Sequence, residues 1–475
     1  MALPIIDAAL GPPVGLIDSV LWNYVLTYGL LAVGLWFTLR LRGVQLRRFP
    51  HMLGLVTRGT HGDASGISPF QALATSLAAR VGTGNVAGVA IALSIGGPGA
   101  LFWMWCTALL GMATAYAEST LAQLYKVRDA SGQYRGGPAY YIERGLRMRW
   151  LGIVFALSLL LSYGAIFSSV HANAIAQSAG AAFGIDRSGV AIALVLLTAA
   201  IIFGGLRSVA RFSEWVVPVM AVGYLALAAW VLATNLDRVP GVLERVLRDA
   251  FGLDAAAGGA LGALTAAMLQ GVKRGLYSNE AGMGSAPNIA AAATPVPHHP
   301  SSQGLVQALG VFIDTLLVCS ATGFVILLAG VPLDVADGVL LTQRAMTVFF
   351  GGAGSIFVAV ALFFFAFTTI IGNCSCAENN LLYLGGGRTG LLVLRLVTLA
   401  VVAWGVYSKV QVVRDAADAS MAVMSTTNLV AILLLSGVVI RLTRDYDAQL
   451  RAGHRPGFRI ADHPGPERGA DADLA

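Results

Sequence analysis

The segment Ser76-Leu-Ala-Ala-Arg-Val-Gly-Thr-Gly-Asn-Val-Ala-Gly-Val89 lies inside an apolar run over 68–93. Its flanks favour a helix, yet Gly82, Gly84, Gly88 and polar neighbours interrupt its middle. A glycine costs about 1 kcal/mol in a helix relative to alanine, so the cluster predicts local unwinding. A second run, over 257–292, is interrupted in the same manner at Gly275-Leu-Tyr-Ser-Asn-Glu-Ala-Gly-Met-Gly-Ser-Ala-Pro287. Glycines can also serve close helix packing, and Gly84 and Gly88 form a small-xxx-small pair. Two interruptions in corresponding places favour paired unwound segments over that reading.

Similar apolar runs recur near 17–40, 98–125, 151–183, 188–204, 212–235, 302–330, 352–383, 389–408 and 420–441. Of the 475 residues 56% are hydrophobic and only 12% charged. A soluble domain carries roughly 25% charged residues, so this chain is built for another solvent. Each run suits the roughly 20 residues that cross about 30 Å of hydrocarbon. Backbone in hydrocarbon must satisfy its own hydrogen bonds, so the runs are expected to be helices. The alternating ten-residue segments of a membrane barrel are missing. The fold class expected is therefore an all-α polytopic membrane protein with about eleven transmembrane helices.

The net charge of +6 suggests nucleic acid until the basic residues are placed. Twenty Lys and Arg fall in odd-numbered connections and the C-terminal segment, among them Arg40, Arg42, Arg47, Arg48 and Arg444. Seven, including Arg187, Arg238 and Lys409, fall on the other side. This asymmetry orients the chain N-terminus out and C-terminus in, across a bacterial cytoplasmic (inner) membrane. The basic excess is topological, and no nucleic-acid partner or obligate protein partner is expected. The start, Met1-Ala-Leu-Pro-Ile-Ile-Asp7, lacks a positive n-region, so no removable signal peptide is expected. Cys106, Cys319, Cys374 and Cys376 fall inside the runs, where packing is their default role.

With the first run set aside, ten remain, five from each interrupted one, and the charge pattern gives the two interrupted runs opposite orientation. That predicts an inverted repeat with a binding site at the midplane, between the two breaks. The expected organisation is a 1–67 segment with an extra helix and a basic loop, and repeats at 68–235 and 257–441. A disordered cytoplasmic tail is expected at 442–475.

Half-helix N-termini expose N–H groups that suit a carboxylate, here at Gly82, Thr83, Gly84 and Asn85. The half-helix C-terminus before the break offers carbonyls, as of Ala78 and Val81, to a hard cation such as Na⁺. Ser278 and Asn279 could accept from an ammonium group, so the implied ligand is a small zwitterion. Thr368 and Thr369 could add hydroxyl ligands for Na⁺, although threonines in such helices commonly bond back to the preceding turn. Charges at membrane depth are costly and normally paired or functional. Arg80 is a candidate gating charge, with Asp314 or Glu280 as partner, and structural pairing explains it equally well. His171 reads as a pocket wall, a proton site or a satisfied helix contact. Enzyme motifs fail: Gly82-Thr-Gly-Asn-Val-Ala-Gly88 has no strand before it, and neither HExxH nor GxSxG occurs. No catalytic residue and no cofactor are expected, with Na⁺ as the coupling ion.

At these segments the chain resembles the alanine/glycine:cation symporters, also called sodium:alanine symporters. The most specific stretches are Ser68-Pro-Phe-Gln-Ala-Leu73 with Val81-Gly-Thr-Gly-Asn85, and the Gly275–Pro287 segment. Gly96-Gly-Pro-Gly99, Gly136-Gly-Pro-Ala-Tyr-Tyr141 and Phe312-Ile-Asp-Thr-Leu316 also match. The resemblance implies a leucine-transporter-type 5+5 inverted repeat preceded by one extra helix. It also implies Na⁺-coupled import of small neutral amino acids, alanine and glycine above all. Substrate would contact Gly82–Asn85 and Ser278–Asn279; sodium would lie between Ala78, Val81, Thr368 and Thr369.

Two positions depart from the family pattern. His171 stands where a Gln is common, and Asn373 where a Trp is common. Both changes fall in corresponding spans and could widen one pocket for a larger polar substrate such as glutamine, serine or asparagine. Rival readings are coupling to protons through His171 or Asp314, and, from another class, a channel or sensor on the same scaffold.

Overall fold

A computed structural model describes residues 21–59, 66–253, 260–334, 338–408 and 410–460. Almost everything in it is helix. The helices used below are α1 (Thr27–Arg40), entered through a π-helical turn at Leu21–Leu26, then α2 (Pro69–Arg80) and α3 (Gly84–Gly96). They continue as α4 (Ala100–Leu124), α5 (Arg149–Phe183), α6 (Arg187–Ile202), α7 (Gly205–Thr234) and α8 (Val239–Ala250). The second half holds α9 (Ala260–Asn279), α10 (Ala286–Ala290), α11 (Pro300–Ala329) and α12 (Val339–Phe350). Last come α13 (Gly352–Tyr383), α14 (Arg388–Tyr407), α15 (Val410–Leu434) and α16 (Ser436–Arg451). A hairpin of β1 (Val127–Arg128) and β2 (Tyr134–Arg135) pairs antiparallel in a connection.

Among the described residues six helices are long and apolar enough to cross a membrane, and eight if each bent pair is one span. The protein is a polytopic α-helical membrane protein. The first bent pair is α2 and α3, which meet at 52° across Val81–Thr83, where the glycines of the opening segment predict unwinding. The second is α15 and α16, which meet at 60°. Burial sorts the helices. In α4, α11 and α13 two thirds of the apolar window is buried, whereas in α7 and α14 about a quarter is. Trp215, Val219, Leu392 and Val393 on the latter two are exposed, apolar surface of the kind a lipid-facing helix carries.

Local chemistry sets the ends. Ser68 opens α2 through a reciprocal capping box: its hydroxyl accepts from Gln71 N–H at 3.0 Å, and its own N–H donates to Gln71 Oε1 at 3.1 Å. The Gly96-Gly-Pro-Gly99 turn seats α8, since Gly99 N–H donates to Asp249 Oδ2 at 2.7 Å. The sequence reading passed over both α8 and α12, which are short helices in connections between spans.

At the second interruption α9 is followed by a helix, α10, of only five residues. The chain between α9 and α10 turns through left-handed residues, Glu280 (φ 55°), Gly282 (φ 87°) and Gly284 (φ 84°). The tail expected from 442 needs correction over its first part: α16 runs to Arg451 and Phe458 is buried. Its apolar side, with Val439, Leu442 and Tyr446, is packed, which composition alone concealed. Residues 461–475 of that tail, residues 1–20, and Lys409 lie outside the described residues.

Candidate functional site

The α2–α3 break faces the α9–α10 break across the middle of the protein. Val81 N–H closes the last turn of α2 on Leu77 O at 2.7 Å, and Val81 itself swings to an extended conformation (ψ 90°). The last carbonyls of such a helix have no partner within it. One of them, Ala78 O, accepts from the Thr369 hydroxyl of α13 at 3.0 Å. Helix α13 comes this close because Gly372 lies against Ala79, where a Cβ would stand 3.0 Å from the Ala79 Cβ.

Three elements converge on Gly82. A Cβ there would lie 2.5 Å from Thr369 Oγ1 and 3.0 Å from His171 Nε2. His171 Nδ1 is within 2.6 Å of Phe167 O in its own helix, which leaves Nε2 as the atom turned to the break. One turn along α13 from Thr369, Asn373 is fully buried, and neither its Oδ1 nor its Nδ2 has a partner. Leaving a buried amide without a partner costs about 1–3 kcal/mol.

The structure redistributes the other expected residues. Asn85 does not present a free amide to a ligand. Its Oδ1 caps Gly82 N–H at 2.9 Å, and its Nδ2 donates to Asp314 Oδ1 at 2.6 Å and Ser278 Oγ at 3.0 Å. Ser278 in turn donates to Asp314 Oδ2 at 2.7 Å. This cluster ties α3, α9 and α11 together and uses up Asp314, which also receives the Thr315 hydroxyl. Asn279 Oδ1 accepts from Ala281 N–H at 3.0 Å, while its Nδ2 has no partner. Thr368 bonds back to Phe365 O at 3.0 Å within α13 and, unlike Thr369, does not reach α2.

Arg80 is buried, and its guanidinium lies against Gln307 of α11, at 3.3 Å from Oε1 and 3.4 Å from the carbonyl. No carboxylate pairs with it among the described residues, so the expected ion pair to Asp314 or Glu280 is not formed. Glu280 accepts the Ser285 hydroxyl at 2.5 Å, across its own left-handed turn.

Side chains that sequence reasoning did not assign hold the second break. Asn428 of α15 donates to Gly282 O at 2.9 Å and to Glu118 Oε2 at 2.8 Å, while Gly282 N–H donates to Glu118 Oε1 at 3.3 Å. The Tyr141 hydroxyl donates to Asn428 Oδ1. Unwound backbone is thus satisfied inside the protein, the condition for keeping it in a membrane. An isolated acid in an apolar helix was a visible signal for Glu118. Asn428 gave none.

A cavity of about 210 Å³ reaches Thr83 and Tyr277 between α3, α5, α9 and α12, with Asn173, Gln177 and Arg274 in its wall. Tyr277 stacks on Phe167, ring centroids 5.2 Å apart, beside the His171 turn. The chain after α10 is strapped down. Ile67 N–H donates to Ala292 O at 3.0 Å, Thr294 N–H donates to Ile67 O at 2.9 Å, and Lys126 Nζ donates to Ala293 O at 3.1 Å.

Paired helix breaks beside a cavity suit a carrier of small solutes, and the comparisons with known proteins narrow that class. The profile of the sodium:alanine symporter family matches residues 8–460, and the chain belongs to that family. It is 46% identical over 445 residues to the amino-acid carrier protein AlsT of Bacillus subtilis, covering 94% of each chain. It is 45% identical over 447 residues to the probable sodium/glutamine symporter GlnT of the same organism, covering 94% of this chain and 92% of the relative. The sodium/alanine symporter AgcS of Methanococcus maripaludis is 38% identical over 444 residues, with 91% and 96% covered. This is a family of carriers, not of enzymes.

Proposed function

We propose that the protein imports a small neutral amino acid together with Na⁺ by alternating access. The observation that carries this reading is the convergence of Thr369, His171 and Gly82 on the open end of α2. There a carbonyl and a hydroxyl, the oxygen ligands a hard cation prefers, stand 3.0 Å apart. Sodium would take Ala78 O and Thr369 Oγ1, with Val81 O as a further candidate and Thr368 excluded by its orientation. The zwitterion's carboxylate would take the first amides of α3, at Thr83 and Gly84, because Gly82 N–H is occupied by Asn85. Ion and substrate would share the Ala78–Gly84 backbone, so each would raise the other's affinity by the same factor.

In this reading the spans number eleven, a first helix followed by two five-helix repeats of opposite orientation. The basic connections would be cytoplasmic, the N-terminus outside, and the cavity at Arg274 would open to the exterior. The seal at Ile67, Ala293 and Lys126 would then be the inner gate, and Arg80 a strut rather than a gate.

The substrate side chain would project toward His171 and Asn373. The unpartnered Asn373 amide favours a substrate with its own amide or hydroxyl, glutamine ahead of alanine, and one relative is named for glutamine. Uptake of labelled alanine and of labelled glutamine into proteoliposomes under an inward Na⁺ gradient tests both statements. Concentrative, sodium-dependent uptake supports the symport, and the ratio of the two labels ranks the substrates. Uptake driven by a pH gradient in sodium-free buffer would transfer the coupling to protons.

A further inference from the structure

Far from the breaks, the end of α1, the connection after it and α16 enclose a second cavity, of about 580 Å³. Arg40, Arg42, Arg47, Arg444 and Arg451 line it, against a single carboxylate, Asp447. That carboxylate is already committed: Asp447 Oδ2 accepts from Arg47 at 2.6 Å and Oδ1 from Arg48 at 2.6 Å. Among the described residues Arg42, Arg444 and Arg451 have no acidic partner. Five guanidiniums around one shared space repel one another, so the pocket is arranged for an anion rather than for its own stability. Guanidinium forks match the paired oxygens of a phosphate.

The surroundings say where the phosphate comes from. Arg40 ends α1 and lies over the Trp36 ring at 5.1 Å. Leu35, Trp36 and Leu39 on that helix are 49%, 43% and 66% exposed, an apolar stripe leading straight up from the arginines. Helix α15 packs beside α1 and adds the exposed Val430 and Leu434, and α16 then bends away by 60° to bring Arg444 and Arg451 across the pocket. A charged cup at the end of a lipid-facing groove fits a headgroup with its chains attached. A soluble phosphate would leave the groove unused.

We propose that this cavity seats the phosphate of an anionic phospholipid, its acyl chains lying along α1 and α15. Each arginine near a membrane surface contributes roughly fivefold to binding of an anionic lipid, so removing three costs on the order of 100-fold. The test is native mass spectrometry of the detergent-solubilised full chain titrated with phosphatidylglycerol, with phosphatidylcholine and inorganic phosphate as separate competitors. Retention of phosphatidylglycerol is expected, displaced by neither competitor and lost on the order of 100-fold in Arg42→Gln/Arg444→Gln/Arg451→Gln. Binding by the triple variant equal to the parent, or equal retention of phosphatidylcholine, would overturn the proposal. Displacement by inorganic phosphate at equal concentration would refute the lipid assignment. Should the glutamine variant not fold, the parent chain still decides. Its phosphatidylglycerol binding must weaken as NaCl rises, and salt-independent binding refutes the site.

Discussion

Gly82→Ala is the smallest change that reaches the centre of the site. Its Cβ would stand 2.5 Å from Thr369 Oγ1 and 3.0 Å from His171 Nε2, where ordinary contact begins at 3.4 Å. Thr369 must therefore retreat by about 0.9 Å, the difference between those two distances. Threonine is β-branched and stiff at χ1, so the hydroxyl cannot simply rotate aside. It gives up its 3.0 Å bond to Ala78 O, the pair of oxygens assigned to sodium. Overpacking of this kind costs about 1–3 kcal/mol, which becomes roughly 5- to 150-fold in the sodium concentration for half-maximal uptake. The assay is initial uptake rate against external Na⁺ at saturating substrate, with thermal unfolding as a control for global damage. Adding Thr369→Ser, which keeps the hydroxyl but frees its rotamer, is expected to recover part of the loss, and the pair should be non-additive. A Gly82→Ala protein with the parent's sodium dependence and melting behaviour would refute the placement of sodium at this junction.

The two adjacent threonines should differ. Thr369→Val leaves the buried Ala78 carbonyl unpartnered and should weaken sodium dependence about tenfold or more, while Thr368→Val, which loses only a bond within its own turn, should change it less than about threefold. Asn373→Trp should lower the glutamine-to-alanine uptake ratio by about tenfold, read by competition; an unchanged ratio would remove Asn373 from the pocket. Asn428→Ala strands Gly282 O and one Glu118 oxygen in the protein interior, a loss of about 1.5–3 kcal/mol. It should show as a lower melting temperature with slowed uptake even at saturating sodium, whereas normal stability would mean that water replaces the amide.

Read alone, the amino-acid sequence pointed to a membrane solvent and to two interrupted runs. Hydrophobic run length and charge asymmetry are properties of composition along a line, and clustered glycines weaken a helix wherever it lies. The glycine cluster marked Ala78, Val81 and Gly82–Asn85 as helix ends, while bringing Thr368 and Thr369 beside them was an implication of the family resemblance alone. Other matters lay beyond such local signals, because a side chain's orientation depends on what stands across from it. Thr368 and Thr369 are equivalent on paper. Both hydroxyls lie within bonding distance of Phe365 O in their own helix, and only the approach of α13 at Gly372 brings Thr369 to Ala78 O of α2 as well. Asn85 looked like a ligand donor and is consumed by Ser278 and Asp314, residues 193 and 229 positions away. Asn428 carried no local signal at all, since its role exists only where α15 meets the strained turn at Gly282. Tertiary packing gave Asn85 and Asn428 partners on other helices and buried the Asn373 amide without one.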